Sequence, residues 1–191
     1  QQILQHIGAS ETAVEGIFFP DTYYFIKGSS DLDILQRAYK TMQNHLQNYW
    51  SERVESLPLN TPYEALILAS IIEKETGAES DRAEIAGVFI NRLRKGMKLQ
   101  TDPTVIYGLG EQFDGNLRKK DLLADQEYNT YTRAGLPPTP ISLPSLASIR
   151  AALNPAETDA LYFVAKGNGE SEFSTNLADH NKAVNKYQKQ Q

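Results

Sequence analysis

The stretch that most constrains the fold is Leu66 to Gly77, LILASIIEKETG, an apolar run that ends in carboxylates. Leu68, Ile71, Ile72 and Glu75 fall at i, i+3, i+4 and i+7, one face of a helix. The spacing predicts a helix whose core-facing stripe is continued by Glu75. Glu73 stands about 200° away around the same axis, so the two acids point in different directions. Thr61-Pro62-Tyr63-Glu64 reads as a capping-box start, with Thr as N-cap, Pro at N1 and Glu at N3. Gly77 is the expected stop. A carboxyl at the end of a buried stripe is costly unless it has partners or opens into a cleft. In a cleft its raised pKa suits a general acid. The alternative is a structural Glu paired with an arginine at the domain surface.

The rest of the chain reads as mostly helical α+β with one small sheet. Residues 1–15 carry the end of a helix. Gly16 to Phe25, GIFFPDTYYF, is aromatic-dense and is either a packing lid on the core or a wall for stacking sugars. A long amphipathic scaffold helix runs from Ser30 to about Val54, with Leu32, Leu35, Ala38, Tyr39, Met42 and Leu46 at helical spacing. Ser80 to Lys95 forms another helix, with Ile85, Val88, Phe89 and Leu93 inward and Gly96 as its stop. Arg82, Arg92 and Arg94 on it are available to pair with acids. Lys98 to Tyr107 begins extended and turns at Asp102-Pro103, presenting Gln100, Thr101 and Asp102.

Residues 108–145 have little periodicity and are rich in Gly and Pro; a loop this long in a compact domain is functional or poorly ordered. Tyr128-Asn129-Thr130-Tyr131 within it offers amide, hydroxyl and ring groups, suited to sugars or to a turn anchored by Asn. Leu146 to Leu153 is a short helix. Ala160 to Lys166 and Ser171 to Ser174 are strands joined by a Gly167-Asn168-Gly169 turn. Asn176 to Lys189 is the last helix.

Composition narrows the chemistry. The net charge is −5 with no dominant Lys/Arg cluster, which argues against a nucleic-acid partner. There are no cysteines, so disulfides, thiolate catalysis and Cys-type zinc sites are excluded. His6, His45 and His180 lie far apart without metal-ligand spacing, so neither metal nor cofactor is expected. No run approaches the roughly 18 apolar residues of a membrane span. The chain starts abruptly at Gln1, as a mature or excised fragment would.

Several long segments together carry a family resemblance. ASIIEKET (69–76), VFINRLRKGMKLQTDPTVIYGLG (88–110), YNTY (128–131), GLPPTPI (135–141), LYFVAKGNG (161–169) and FSTNLADHN (173–181) resemble the YceG-like family of endolytic murein transglycosylases. EGIFFPDTYYF (15–25) is similar to the segment preceding that family's helical part. The resemblance implies a lysozyme-like helical core with a small β-hairpin sheet. It implies an N-terminal aromatic segment and scaffold helix over 1–60 and the catalytic domain over 61–191, packed as one unit. It also implies a LysM-like part and a single membrane anchor ahead of this chain, at the periplasmic face of the bacterial inner membrane. The implied substrate is the glycan strand of nascent peptidoglycan, with cell-wall synthases as partners.

Within the resemblance, the catalytic glutamate belongs to the helix at 66–76, where Glu73 and Glu75 both match. Related soluble lytic transglycosylases carry the acid as Glu-Ser at the end of a core helix, which Glu75-Thr76 resembles more closely. The face argument picks Glu75 independently, with Glu73 in reserve. Gln100, Asp102, Tyr128, Asn129 and Tyr131 are candidates for holding the sugar. Asn176 and His180 are further candidates, each also suited to capping the last helix. The expected reaction closes a 1,6-anhydro ring on N-acetylmuramic acid. The alternatives are a water-using muramidase, with Asp102 as second carboxylate, and a non-catalytic glycan-binding scaffold.

Overall fold

The structure, a computed structural model, describes residues 2–188. The central helix is α3, Pro62–Glu75; the earlier helices are α1, Gln2–Ile7, and α2, Asp31–Ser51. Every residue of α3 from Ala65 to Ile72 is buried. The expected one-sided stripe is therefore a helix apolar on all sides, surrounded by α2, α4 (Glu79–Arg94), α5 (Asp102–Leu109) and α7 (Leu146–Leu153). Each fully enclosed Leu or Ile contributes about 1.5–3 kcal/mol. One core runs from Leu4 and Ile7 through Met42, Leu66, Ile72 and Phe89 to Leu153, so the segment before residue 61 shares it.

Local chemistry sets the helix ends. Ser30 caps α2 and exchanges bonds with Asp33 in a reciprocal capping box. At α3, Thr61 Oγ1 accepts from Glu64 N, but the Glu64 carboxylate reaches back to Asn60 N, one residue before the cap. Gly77 does not stop α3. Thr76, in extended conformation, ends it. Gly96, at φ 65°, does close α4 as expected. Asp102-Pro103 does not make a turn: both residues lie in the first turn of α5, where proline's missing N–H costs nothing.

Between α5 and α7 lie only a 3₁₀ turn, Gly110–Gln112, and α6, Lys119–Leu123. The loop that follows is stitched to α3. Ser70 Oγ accepts from Ile141 N at 3.0 Å, and Ser142 Oγ donates to Ser70 O at 2.9 Å. The sheet has two antiparallel strands, β1 (Tyr162–Ala165) and β2 (Ser171–Ser174), with Tyr162 opposite Ser174. The last helix, α8, is Leu177–Tyr187 and packs on this hairpin. The expected end of that helix at Lys189 lies outside the described residues.

The aromatic segment divides. Ile17 is buried and Phe18 and Phe19 pack on the core, while Tyr24, Phe25 and Ile26 are 85%, 66% and 80% exposed. The fold is mostly helical α+β, as read from the sequence. Among the described residues no helix is long and apolar enough to cross a membrane.

Candidate active site

Glu75 is the last residue of α3, half-buried where the enclosed part of that helix gives out. A cleft of about 450 Å³ opens there between the Leu99–Asp102 segment and the face made by β1 and α8. Glu75, Arg92, Gln100, Asp102, Tyr131, Tyr162 and His180 line it. Burial pushes the Glu75 carboxyl up to about 7; the Asp102 charge adds to this, while the Thr101 hydroxyl and the Arg92 charge oppose it. Thr101 Oγ1 donates to Glu75 Oε1. Among the described residues no cation stands within ion-pair distance of Glu75. The surface ion pair considered for it is absent there.

Glu73 has a different environment. Its Oε2 accepts from Ser145 N at 2.9 Å, Ser145 Oγ at 2.6 Å and Ser148 Oγ at 2.6 Å. It thereby ties α3 to the first turn of α7. Burial would raise its pKa, but the two seryl hydroxyls, the Ser145 N–H and the Arg82 charge together hold it below the ordinary value. An acceptor so committed is a structural anion.

Arg92 is buried on α4, 7% exposed. Its Nε donates to Leu161 O at 2.6 Å, and its Nη1 donates to Leu99 O at 2.7 Å and Lys98 O at 3.3 Å. One guanidinium therefore links the strand side of the cleft to the Gln100 side. It also lies over the Tyr162 ring, 5.1 Å from the centroid, and Tyr162 stacks on His180 at 5.2 Å. Burial lowers the pKa of His180, with the Arg92 charge acting the same way, so its ring favours the neutral form. Tyr131 donates its phenol to Asp102 Oδ1 at 2.5 Å. Burial and this bond hold the Tyr131 proton well above the usual phenol range.

The structure brings Gln100, Asp102, Tyr131 and His180 to the cleft with Glu75. It places the other candidates elsewhere. Asn129 is fully buried. Its amide donates to the carbonyls of Asp121, Leu122 and Ala124 and accepts from Tyr131 N, so it anchors the loop. Tyr128 bonds Thr139 at 2.8 Å and its ring meets Tyr107, away from the cleft lining. Asn176 is the N-cap of α8 and accepts from Asp179 N. Arg92, which lines the cleft, and Thr101, which bonds Glu75 from outside the lining, were noted in the sequence only as polar groups and not as parts of the site. Arg92 carried a readable signal, since it follows Ile85, Val88 and Phe89 at i+7, i+4 and i+3, the same pattern that points to Glu75.

Comparison with known proteins gives the family. Residues 1–186 match the family described as YceG-like. The chain belongs to the YceG-like family. A Bacillus subtilis relative named endolytic murein transglycosylase is 45% identical over 175 residues, covering 91% of this chain and 48% of the relative. A Streptococcus pneumoniae relative of the same name is 33% identical over 177 residues, 90% of this chain and 32% of the relative. A crystal structure of a YceG-like protein from Listeria monocytogenes matches with TM-score 0.79 and 38% identity, over 95% of this chain and 62% of that one. The chain thus spans about half the length of the first relative and about a third of the second.

Proposed function

We propose that this chain is a lytic murein transglycosylase that cuts glycan strands internally, at the bond from N-acetylmuramic acid to N-acetylglucosamine. The observation that carries the reading is one carboxyl, Glu75, poised near neutrality at the edge of an open cleft in a YceG-like fold. The names of the Bacillus and Streptococcus relatives support it.

In the reaction, Glu75 protonates the glycosidic oxygen as the C1–O bond breaks. The developing positive charge at C1 and the ring oxygen is faced by the Glu75 carboxylate and by Asp102. The C6 hydroxyl of the same muramoyl residue attacks C1 and gives its proton back to Glu75. The carboxyl ends as it began, and the sugar ends as a 1,6-anhydro ring. Because the nucleophile belongs to the substrate, its effective concentration is far above that of water in a competing attack.

Asp102 sustains a second reading. It is exposed in the cleft beside Glu75, where a muramidase would hold a water-activating carboxylate. Its Oδ1 already accepts the Tyr131 phenol, which occupies one of its two oxygens and favours the single-carboxyl route. The reading carries a place of action at the periplasmic face of the inner membrane, where nascent strands are made, beside the synthases that make them. Mass analysis of products from soluble, uncrosslinked glycan strands tests the chemistry. Anhydro ends are expected, reducing muramic acid ends select the muramidase, and intact strands select the scaffold.

A further inference from the structure

Thr101 is 2% exposed and sits behind the carboxyl of Glu75. Its hydroxyl donates to Glu75 Oε1 and makes no other hydrogen bond among the described residues. Its main chain is fixed on both sides. Thr101 N donates to Thr130 Oγ1 at 3.1 Å, and Thr104 Oγ1 donates to Thr101 O at 2.8 Å. Thr104 and Thr130 share a further hydroxyl contact at 2.9 Å, and Gln100 N donates to Thr130 O at 3.1 Å. Thr104 and Thr130 are as buried as Thr101. The three threonines lie outside the cleft lining. Their product is a hydroxyl held in one place.

The other carboxyl oxygen, Oε2, has no hydrogen-bond partner among the described residues and is not sealed from solvent. The two oxygens are therefore unequal. We propose that Thr101 is a positioning residue that occupies Oε1 throughout the cycle and so assigns the transferable proton to Oε2, the oxygen open to the cleft. The inference rests on the reading of Glu75 as general acid and names which of its atoms does the work.

The argument follows the proton. In the ionised form, Thr101 donates to one of two equivalent oxygens and favours that form. In the acid form, Oε1 remains an acceptor only if it is the carbonyl oxygen, which puts the proton on Oε2. The reverse arrangement, with Oε1–H donating to Thr101 Oγ1, leaves the threonine hydroxyl proton without an acceptor in a buried place. Oε2 then releases its proton to the glycosidic oxygen and recovers one from the C6 hydroxyl, with no rotation of the carboxyl in between. The charged and titratable groups facing Glu75 are Arg92 of α4, Asp102 of α5 and Tyr131 of the following loop.

Thr101→Val keeps the shape and removes the donor; Thr101→Ser restores the donor on a smaller side chain. The test is kinetics of the whole chain on soluble, uncrosslinked glycan strands across pH, with a carbon-13 titration of the Glu75 carboxyl identified by its loss in Glu75→Gln. Thr101→Val is expected to lower kcat at least about tenfold with KM within about twofold, since orientation is lost but the sugar contacts are not. The alkaline limb and the titration midpoint should both move up by about one unit. Thr101→Ser should return both toward wild type. Thr101→Val with wild-type kcat and an unmoved midpoint overturns the inference. So does a variant that only melts lower with its pH limb unchanged. An inactive wild type would instead sink the enzyme reading, and the carboxyl titration would still decide whether Thr101 holds Glu75.

Discussion

Glu73 and Glu75 stand two positions apart on α3, yet Glu73 accepts three hydrogen bonds from Ser145 and Ser148 while Glu75 accepts one, from Thr101. The two carboxyls are driven to opposite sides of their ordinary pKa, Glu73 down and Glu75 up to about 7. The cause is the direction each faces. Glu73 meets the N-terminal turn of α7, which presents donors; Glu75 meets the cleft, which presents few.

The first prediction separates the two acids. Glu75→Gln should abolish cleavage and leave the fold nearly intact, because the amide keeps size and hydrogen bonding but exchanges no proton at this pH. Glu73→Gln should keep substantial activity and lose about 1–3 kcal/mol of stability, since a charged acceptor of three bonds is replaced by a neutral one. Cleavage assays and melting curves on both variants check this. A dead Glu73→Gln with an active Glu75→Gln would reverse the roles.

The second concerns stability against pH. Burial pushes the Glu75 carboxyl from its ordinary 4.5 up to about 7, so the fold disfavours its ionised form. The penalty is absent below the unfolded pKa, grows between about 4.5 and 7, and is fully present above 7. It amounts to up to about 3 kcal/mol at pH 8. Glu75→Gln removes it, so the variant should melt increasingly above wild type as pH rises from 5 to 8. A gap independent of pH, or a variant melting lower, would mean that the charge is compensated by a partner.

Much of this was legible in sequence where the deciding chemistry is local. The spans of α4, α7 and the hairpin follow from caps, glycines and periodicity within a few residues. The argument that singled out Glu75 was incomplete: α3 is buried all round from Ala65 to Ile72, so a single stripe did not set it apart. What distinguishes Glu75 from Glu73 is the partner each meets, supplied by α7 and Thr101 from far along the chain. Asp102-Pro103 was ambiguous because a proline's fixed φ serves a turn and a first helical turn equally. Asn129 and Tyr128 carry groups suited to a sugar, and only the folded loop shows those groups already bonded within the protein.

Arg92 gives the third prediction. Its Nε and Nη1 reach Leu161 O and Leu99 O from one rigid fork, and a lysine ammonium on a flexible stem cannot reproduce both. Arg92→Lys should therefore destabilise the chain by about 1–3 kcal/mol even though the charge is kept. Chemical denaturation of the two proteins at neutral pH measures the difference. Equal midpoints would show that charge, not the two-sided link, is what this position supplies.

The last prediction concerns the product. With Glu75 as sole acid and base and the C6 hydroxyl as nucleophile, new ends should be 1,6-anhydro-muramoyl, lighter by one water than reducing ends. Digestion in oxygen-18 water should leave them unlabelled. Among the described residues that line the cleft, Asp102 is the one carboxylate besides Glu75, and its Oδ1 is taken by the Tyr131 phenol. To activate water it would need a free oxygen aimed at the opposite face of the sugar ring, and the phenol bond holds the carboxylate toward Tyr131 instead. Tyr131→Phe removes this restraint, so its products are the sharpest control. If they stay anhydro, as expected, Asp102 has no water-activating role even when released. Label-bearing, reducing muramic acid ends from the wild type would sink the lyase reading and make Asp102 a catalytic partner.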